Sequence, residues 1–210
     1  MAQKVNTIPF VSAIILAAGS STRMLPHHKL ALPVDGKPML LRTVDYVLAA
    51  ELSEVIVVLG HAADELNFLP DKRLQIVHNQ DFHTGMASSI RCGMQHISAR
   101  SDAVLIALGD MPFIEPTTVR LMCESAQNLR IPTILRPAYL GQAGHPVLFS
   151  QHFFADLMLL NGDCGALSII QKNQSVLREI DCDDAGVVID IDTPEALQRI
   201  KGRFFRNGNK

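Results

Sequence analysis

The sequence predicts an α/β domain of three layers, with helices on both faces of a mostly parallel sheet. Three observations carry that prediction. Apolar runs of strand length recur at Phe10 to Ala17, Glu54 to Leu59, Leu74 to His78 and Asp102 to Leu108. Segments with apolar residues at helical spacing lie between them. Glycine-led turns, at Gly19, Gly60 and Gly109-Asp110, close three of the runs.

The first strand is apolar throughout, as a strand buried on both faces should be. It runs into Leu16-Ala17-Ala18-Gly19-Ser20-Ser21-Thr22-Arg23. Small side chains there let backbone N–H groups approach a ligand. Arg23 and Lys29 add two fixed cations, and the combination suits a polyphosphate. The bland alternative is a surface loop whose cations are simply solvated. No G-x-x-x-x-G-K-[ST] and no G-x-G-x-x-G occurs, so neither common phosphate-binding fingerprint is present.

Asp35-Gly36 makes a turn, and Pro38 stands at the start of a helix carrying Leu40, Leu41, Val44, Val47 and Leu48. A short helix is expected over Ala62 to Phe68. Asn79 to Gly85 is a polar loop, followed by a helix with Met86, Ile90, Met94 and Ile97 on one face. Pro116 opens another helix, with Val119, Met122, Ala126 and Leu129 inward. Beyond Pro132, Thr133 to Arg136 and His145 to Phe149 read as strands joined by a mobile hairpin-like connection. Helices at Gln151 to Leu160 and around Gly165 to Gln171 follow, then a strand near Ser175 to Ile180. Val187 to Asp192 alternates like a strand, Thr193-Pro194 starts a last helix, and Gly202 to Lys210 is a tail.

A chain of 210 residues is read as one domain, 1–210, with a nucleotide-binding part over about 10–130 and an acceptor-binding part over about 131–200. A formal charge of -2 without a basic block argues against nucleic acid. No apolar run approaches the ~20 residues that span a bilayer, so no membrane is expected. The first nine residues lack a secretory core, and the four cysteines, Cys92, Cys123, Cys164 and Cys182, are dispersed. A cytoplasmic protein with reduced thiols is expected.

Ligands of open α/β sheets sit beyond the carboxyl ends of the strands, where Gly19 to Lys29, Asp110, Asp190 and Asp192 fall. A carboxylate directly after an apolar strand can hold Mg²⁺, which favours one or two carboxylates plus phosphate oxygens and water. Asp110 could instead cap its Gly-Asp-Met-Pro bend. Alternation would aim Asp190 and Asp192 at one ion, or Asp192 could simply begin the next turn. His145, in Gly144-His145-Pro146, could contact an anionic acceptor or fix a tight turn. Gly162-Asp163-Cys164-Gly165 could approach an anion or join two helices. Arg23 and Lys29 would stabilise charge gathering on a phosphoryl centre and a departing pyrophosphate.

Six ordered motifs resemble the MobA-like nucleotidyltransferases, and most closely the molybdenum cofactor cytidylyltransferases. They are Leu-Ala-Ala-Gly-x-Ser-x-Arg-Met with Lys29, Gly-Met-x-x-Ser-Ile (85–90), Gly-Asp-Met-Pro (109–112), Gly-His-Pro-Val (144–147), Gly-Asp-x-Gly-Ala (162–166) and Asp-Ile-Asp-Thr-Pro-Glu (190–195). The resemblance implies a Rossmann-like, glycosyltransferase-A-like nucleotidyltransferase fold and Mg²⁺-dependent transfer from CTP to molybdopterin-bound molybdenum. It implies that Gly19, Arg23 and Lys29 hold the triphosphate, that Leu16, Ala17 and Ala18 join in binding the nucleotide, and that Asp110 with Asp190 or Asp192 holds the metal. Asn79, Gly85 and Ser89 would lie near base and ribose, and His145 near the acceptor. Ala17-Ala18 resembles the cytidylyl members, and the product would serve a xanthine-dehydrogenase-type molybdoenzyme. Two positions depart from the pattern: Leu25, with one extra residue before Lys29, and Leu167 in place of an arginine.

Overall fold

The computed structural model describes residues 9–19, 28–60, 66, 72–126, 129 and 131–192. Arg23, Leu25, the expected helix over 62–68 apart from Leu66, the Thr193-Pro194 helix start and the tail lie outside the described residues.

Strand β1 (Val11–Ala17) sits mid-sheet because both of its faces are apolar: Ala13, Ile14 and Ile15 are fully buried. Alternate residues feed two separate cores, Ala13 and Ile15 on one face and Ile14 on the other. A ribbon of β2 (Pro33–Val34) and β3 (Lys37–Pro38) turns at Asp35-Gly36 and leads into α1 (Met39–Ala49). Strands β4 (Glu54–Leu59) and β5 (Leu74–His78) extend the sheet in parallel on one side of β1. Helix α2 (Met86–Met94) follows, then β6 (Ala103–Leu108), parallel to β1 on its other side.

Helix α3 (Pro116–Ser125) packs with α1 on one face of the sheet. Next come β7 (Ile134–Tyr139), β8 (Gln142–Ala143) and β9 (Val147–Ser150), with β9 antiparallel to both β6 and β7. Helices α4 (Phe154–Met158) and α5 (Leu167–Lys172) join α2 on the second face, and β10 (Leu177–Asp181) pairs in parallel with β7. The sheet order is β10-β7-β9-β6-β1-β4-β5, with β8 attached to β7. This is the expected three-layer α/β arrangement with a mostly parallel sheet.

Three details differ from the sequence reading. Strand β7 continues past Pro137 to Tyr139, because the β9 pairing stops at Leu135 and the missing proline N–H falls beyond it. The connection after β7 is a tight two-residue hairpin rather than a mobile loop, with Leu140 and Gly141 both at positive φ, 49° and 78°. Val187 to Asp192 is no strand. A 3₁₀ turn spans Ala185–Val188 and the backbone then bonds to loops: His145 N–H donates to the Val187 carbonyl, and Ile191 N–H to that of Asp110. Asp184 anchors this segment, accepting from Glu115 N–H, the Thr118 hydroxyl and Gly186 N–H at 2.7–2.9 Å.

Candidate active site

The chain leaves β1 toward β4 on one side, while β6 lies on the other. The loops beyond β1 and β6 therefore diverge and open a crevice at the carboxyl ends of both strands. A cavity of about 740 Å³ occupies it, lined by Leu16 to Gly19, Lys29, Gly85, Ser89 and Asp110, and by the Phe82–Thr84 turn.

Lys29 Nζ donates to Asp110 Oδ2 and to Asp192 Oδ1, each at 2.7 Å. The three residues come from the loop after β1, the loop after β6 and the segment after the 3₁₀ turn. Burial alone would lower the pKa of the Lys29 ammonium, but the two carboxylates outweigh it and hold the pKa above its ordinary value. The cation is thus fixed at the crevice floor. His28, buried, caps the short turn that carries Lys29. Its Nδ1 accepts from Leu30 N–H, so Nε2 is left to donate to the Gly19 carbonyl at 3.2 Å. His28 thus links Gly19 to the turn that carries Lys29.

Asp190 is exposed, and it does not share a strand face with Asp192. What burial its carboxyl has, and then the charges of Asp192 and Asp110, push its pKa up. Asp110 and Asp192, both bonded to Lys29, offer hard oxygens suited to a divalent cation bound jointly with phosphate. Among the described residues, no three acidic, histidine or cysteine side chains are already gathered as a self-sufficient metal cage.

Asn79 is buried and committed elsewhere. It donates to the Ser88 and Ser89 hydroxyls at 2.8 and 3.0 Å and accepts from Asp81 N–H. Ser89 and Gly85 line the crevice, and Asn79 shapes the loop beside them through its bond to Ser89. Gly85 has φ 109°, and a Cβ there would lie 2.6 Å from the Gly162 carbonyl oxygen. This close approach lets Gly162 O accept from Ala87 N–H and Asp163 from Met86 N–H. The Gly162-Asp163 loop thereby caps α2 and forms part of the crevice wall.

His145 lies to the side, ahead of β9, where its buried Nδ1 has no hydrogen-bond partner among the described residues. Burial pushes its pKa below the ordinary 6.5, with Asp110 pulling it up and Arg136 pushing it further down. The unfolded chain therefore takes up a proton that the folded chain resists. Stability should be lost as pH falls through about 6.5 toward the folded pKa. The wild-type melting temperature is expected to drop relative to that of His145→Gln between about pH 7 and pH 5. Parallel melting curves would remove the burial argument.

Sequence reasoning passed over Asp184, His28 and the Phe82–Thr84 turn. The Asp-x-Gly spacing of Asp184 and Gly186 was a usable turn signal. Nothing local marked His28, whose partner Gly19 lies across a loop.

Residues 13–179 match the MobA-like NTP transferase domain family. The chain is 28% identical over 208 residues to nicotine blue oxidoreductase of Paenarthrobacter nicotinovorans, covering 92% of this chain and 97% of that one. It is 28% identical to the purine catabolism protein PucB of Bacillus subtilis, with the same coverage. A 113-residue stretch is 39% identical to the bifunctional protein GlmU of Sorangium cellulosum, of which the match covers only 24%. Among solved structures, a nucleotidyl transferase from Methanothermobacter thermautotroptrophicus superposes with a TM-score of 0.80 at 26% identity, covering 95% and 99% of the two chains. A manganese complex of Rv0371C from Mycobacterium tuberculosis does so with a TM-score of 0.75 at 26% identity, covering 90% and 97%. On its sequence match, and with the crevice, cation and carboxylates just described, the chain belongs to the MobA-like NTP transferase family.

Proposed function

We propose that this protein transfers CMP from CTP to molybdenum-bearing molybdopterin, releasing pyrophosphate, with Mg²⁺ as its metal. The observation that carries the reading is Lys29 bridging Asp110 and Asp192 at the β1/β6 crevice. Bound there, a divalent ion would neutralise triphosphate charge, held by Asp110 with Asp192 or Asp190. The manganese complex of the Mycobacterium tuberculosis relative supports the use of a divalent ion.

Lys29 would carry the growing charge on the α-phosphoryl oxygens and the departing pyrophosphate, assisted by backbone N–H groups of the Ala18-Gly19 bend. Arg23 is proposed to share that work. The acceptor phosphate oxygen forms the new bond to the α-phosphorus as the bond to the β-phosphate oxygen breaks. A phosphate monoester is already largely ionised at neutral pH, with a second pKa of about 6, so the step needs no general base. Ala17-Ala18, which resembles the cytidylyl members where guanylyl members tend to have two glycines, supports CTP as the nucleotide. Gly85 and Ser89 are proposed to meet base and ribose, and residues from about 131 onward the acceptor. The recipient of the product would be a xanthine-dehydrogenase-type molybdoenzyme in the cytoplasm, and the purine-catabolism name of one relative supports that setting. No helix among the described residues is long and apolar enough to cross a membrane.

Pyrophosphate release with Mg²⁺ and each of CTP, GTP, ATP and UTP, with and without molybdenum cofactor, tests the reading. Cofactor-dependent release with CTP, lost in Asp110→Ala, is expected. Release onto a sugar or polyol phosphate would keep the chemistry and replace the acceptor. Binding without release would make the protein a carrier. One relative's name also motivates an oxidoreductase arm: NADPH-dependent dye reduction under the same conditions would overturn the transferase reading.

A further inference from the structure

Beside the crevice lies a second hollow of about 290 Å³, sharing Leu16, Met86, Leu108 and Asp163 with it. Its walls are mostly hydrocarbon, from Ile90, Ile106, Val147 and Phe149, with half-exposed Leu167 at the rim. The charged or imidazole side chains among its described lining residues are Arg136, His145 and Asp163. Asp163 stands at the shared mouth with one carboxylate oxygen already bonded to Met86 N–H.

Arg136 comes from β7 with only 22% of its side chain exposed. Its Nε and Nη2 both donate to one oxygen, Oε1 of Glu179, at 3.0 and 2.5 Å. A guanidinium has five N–H donors in a rigid fork, and the other three have no acceptor among the described residues. A partly exposed fixed charge with donors left over, at a hydrocarbon-walled hollow, is matched by an anion that takes those donors. The buried Nδ1 of His145 is a second unfilled polar atom close by.

We propose that this hollow takes the acceptor as an anion with a flat, apolar body, and that Arg136 is its specificity-determining anchor. Arg136 grips the anionic group, Ile106, Val147 and Phe149 hold the body, and His145 Nδ1 bonds a polar atom on its edge. Polyol hydroxyls would face walls that offer them no partners. An aromatic phosphate monoester fits, and a sugar or polyol phosphate does not. The inference rests on the transferase reading for calling this ligand the acceptor.

Calorimetric titration of the full chain with naphthyl phosphate and with glycerol phosphate, beside CTP with Mg²⁺, tests it. Naphthyl phosphate should bind the wild type at least tenfold tighter than glycerol phosphate. Its affinity should fall roughly tenfold to a hundredfold in Arg136→Ala, with partial recovery in Arg136→Lys. Leu167→Glu, at an exposed rim position that leaves the core untouched, should weaken it roughly tenfold by charge repulsion while CTP binding stays unchanged. No binding to the wild type, equal affinity for the two phosphates, or indifference to both Arg136→Ala and Leu167→Glu would overturn the proposal. Absence of CTP binding and turnover, with the naphthyl phosphate pattern intact, would fail the transferase reading alone.

Discussion

Replacing Lys29 with methionine should slow pyrophosphate release by about a thousandfold, the scale of losing one preorganised donor to a developing oxyanion. Methionine keeps most of the volume and removes the charge. The ammonium is largely enclosed and bonded to Asp110 and Asp192, so its loss also leaves two carboxylates facing one another. Asp192 is half exposed and water screens it. The stability cost should therefore stay near ~1 kcal/mol rather than reach that of a dry ion pair. Millimolar Mg²⁺ should raise the melting temperature of Lys29→Met more than that of the wild type, because the metal then neutralises carboxylates that no lysine occupies. Turnover within a few-fold of wild type would dismiss Lys29 as a catalytic group. An equal Mg²⁺ response would dismiss the carboxylates as its shared partners.

The second large effect is structural and starts at Gly144. A Cβ at this position would lie 2.3 Å from the Val187 carbonyl oxygen, far inside van der Waals contact. That carbonyl belongs to the turn preceding Asp190 and Asp192, and it accepts from His145 N–H. Gly144→Ala must therefore push the turn away from β7 and carry the carboxylates off with it. Overpacking of this kind costs roughly 3 kcal/mol, or about 10 °C of melting temperature in a domain of this size. Transfer activity should fall even at temperatures where the variant remains folded. A melting temperature within about 2 °C of wild type would show that the turn yields freely and does not fix the acidic residues.

Strands β4 and β5 were legible to the residue, since their apolar stretches begin and end beside polar residues and turns. The helix starts at Met39 and Pro116 were legible from the prolines. Legibility failed where a residue's role depends on what the fold brings opposite it. Val187 to Asp192 carries strand-like alternation, yet its hydrogen bonds go to His145 and Asp110, partners that no local pattern announces. Pro137 looked like a strand end because its neighbour β9 could not be seen to stop first. In the site, Lys29 and Asp110 were visible as residues following strands, but their 2.7 Å contact required β1 and β6 to be neighbours. Asn79, expected near base and ribose from the resemblance, bonds to Ser88 and Ser89, a link that the sequence of its own loop did not announce. Arg136 was invisible, because an arginine within a strand gains meaning only from the hollow beside it.

The reversal of β9 within the sheet has a bearing on how such a protein can diversify. Because β9 runs against β6, the β7–β8 hairpin and the Gly144-His145-Pro146 entry to β9 both reach the edge where Lys29 and Asp110 stand. The tip of that hairpin, Leu140, is 88% exposed. Lengthening or rewriting it would reshape the neighbouring hollow without shifting the register of β1 against β6. Innovation in what receives the nucleotide is thereby separated from the machinery that activates it. A lineage could explore new acceptors through one short ribbon while its phosphate chemistry is inherited intact.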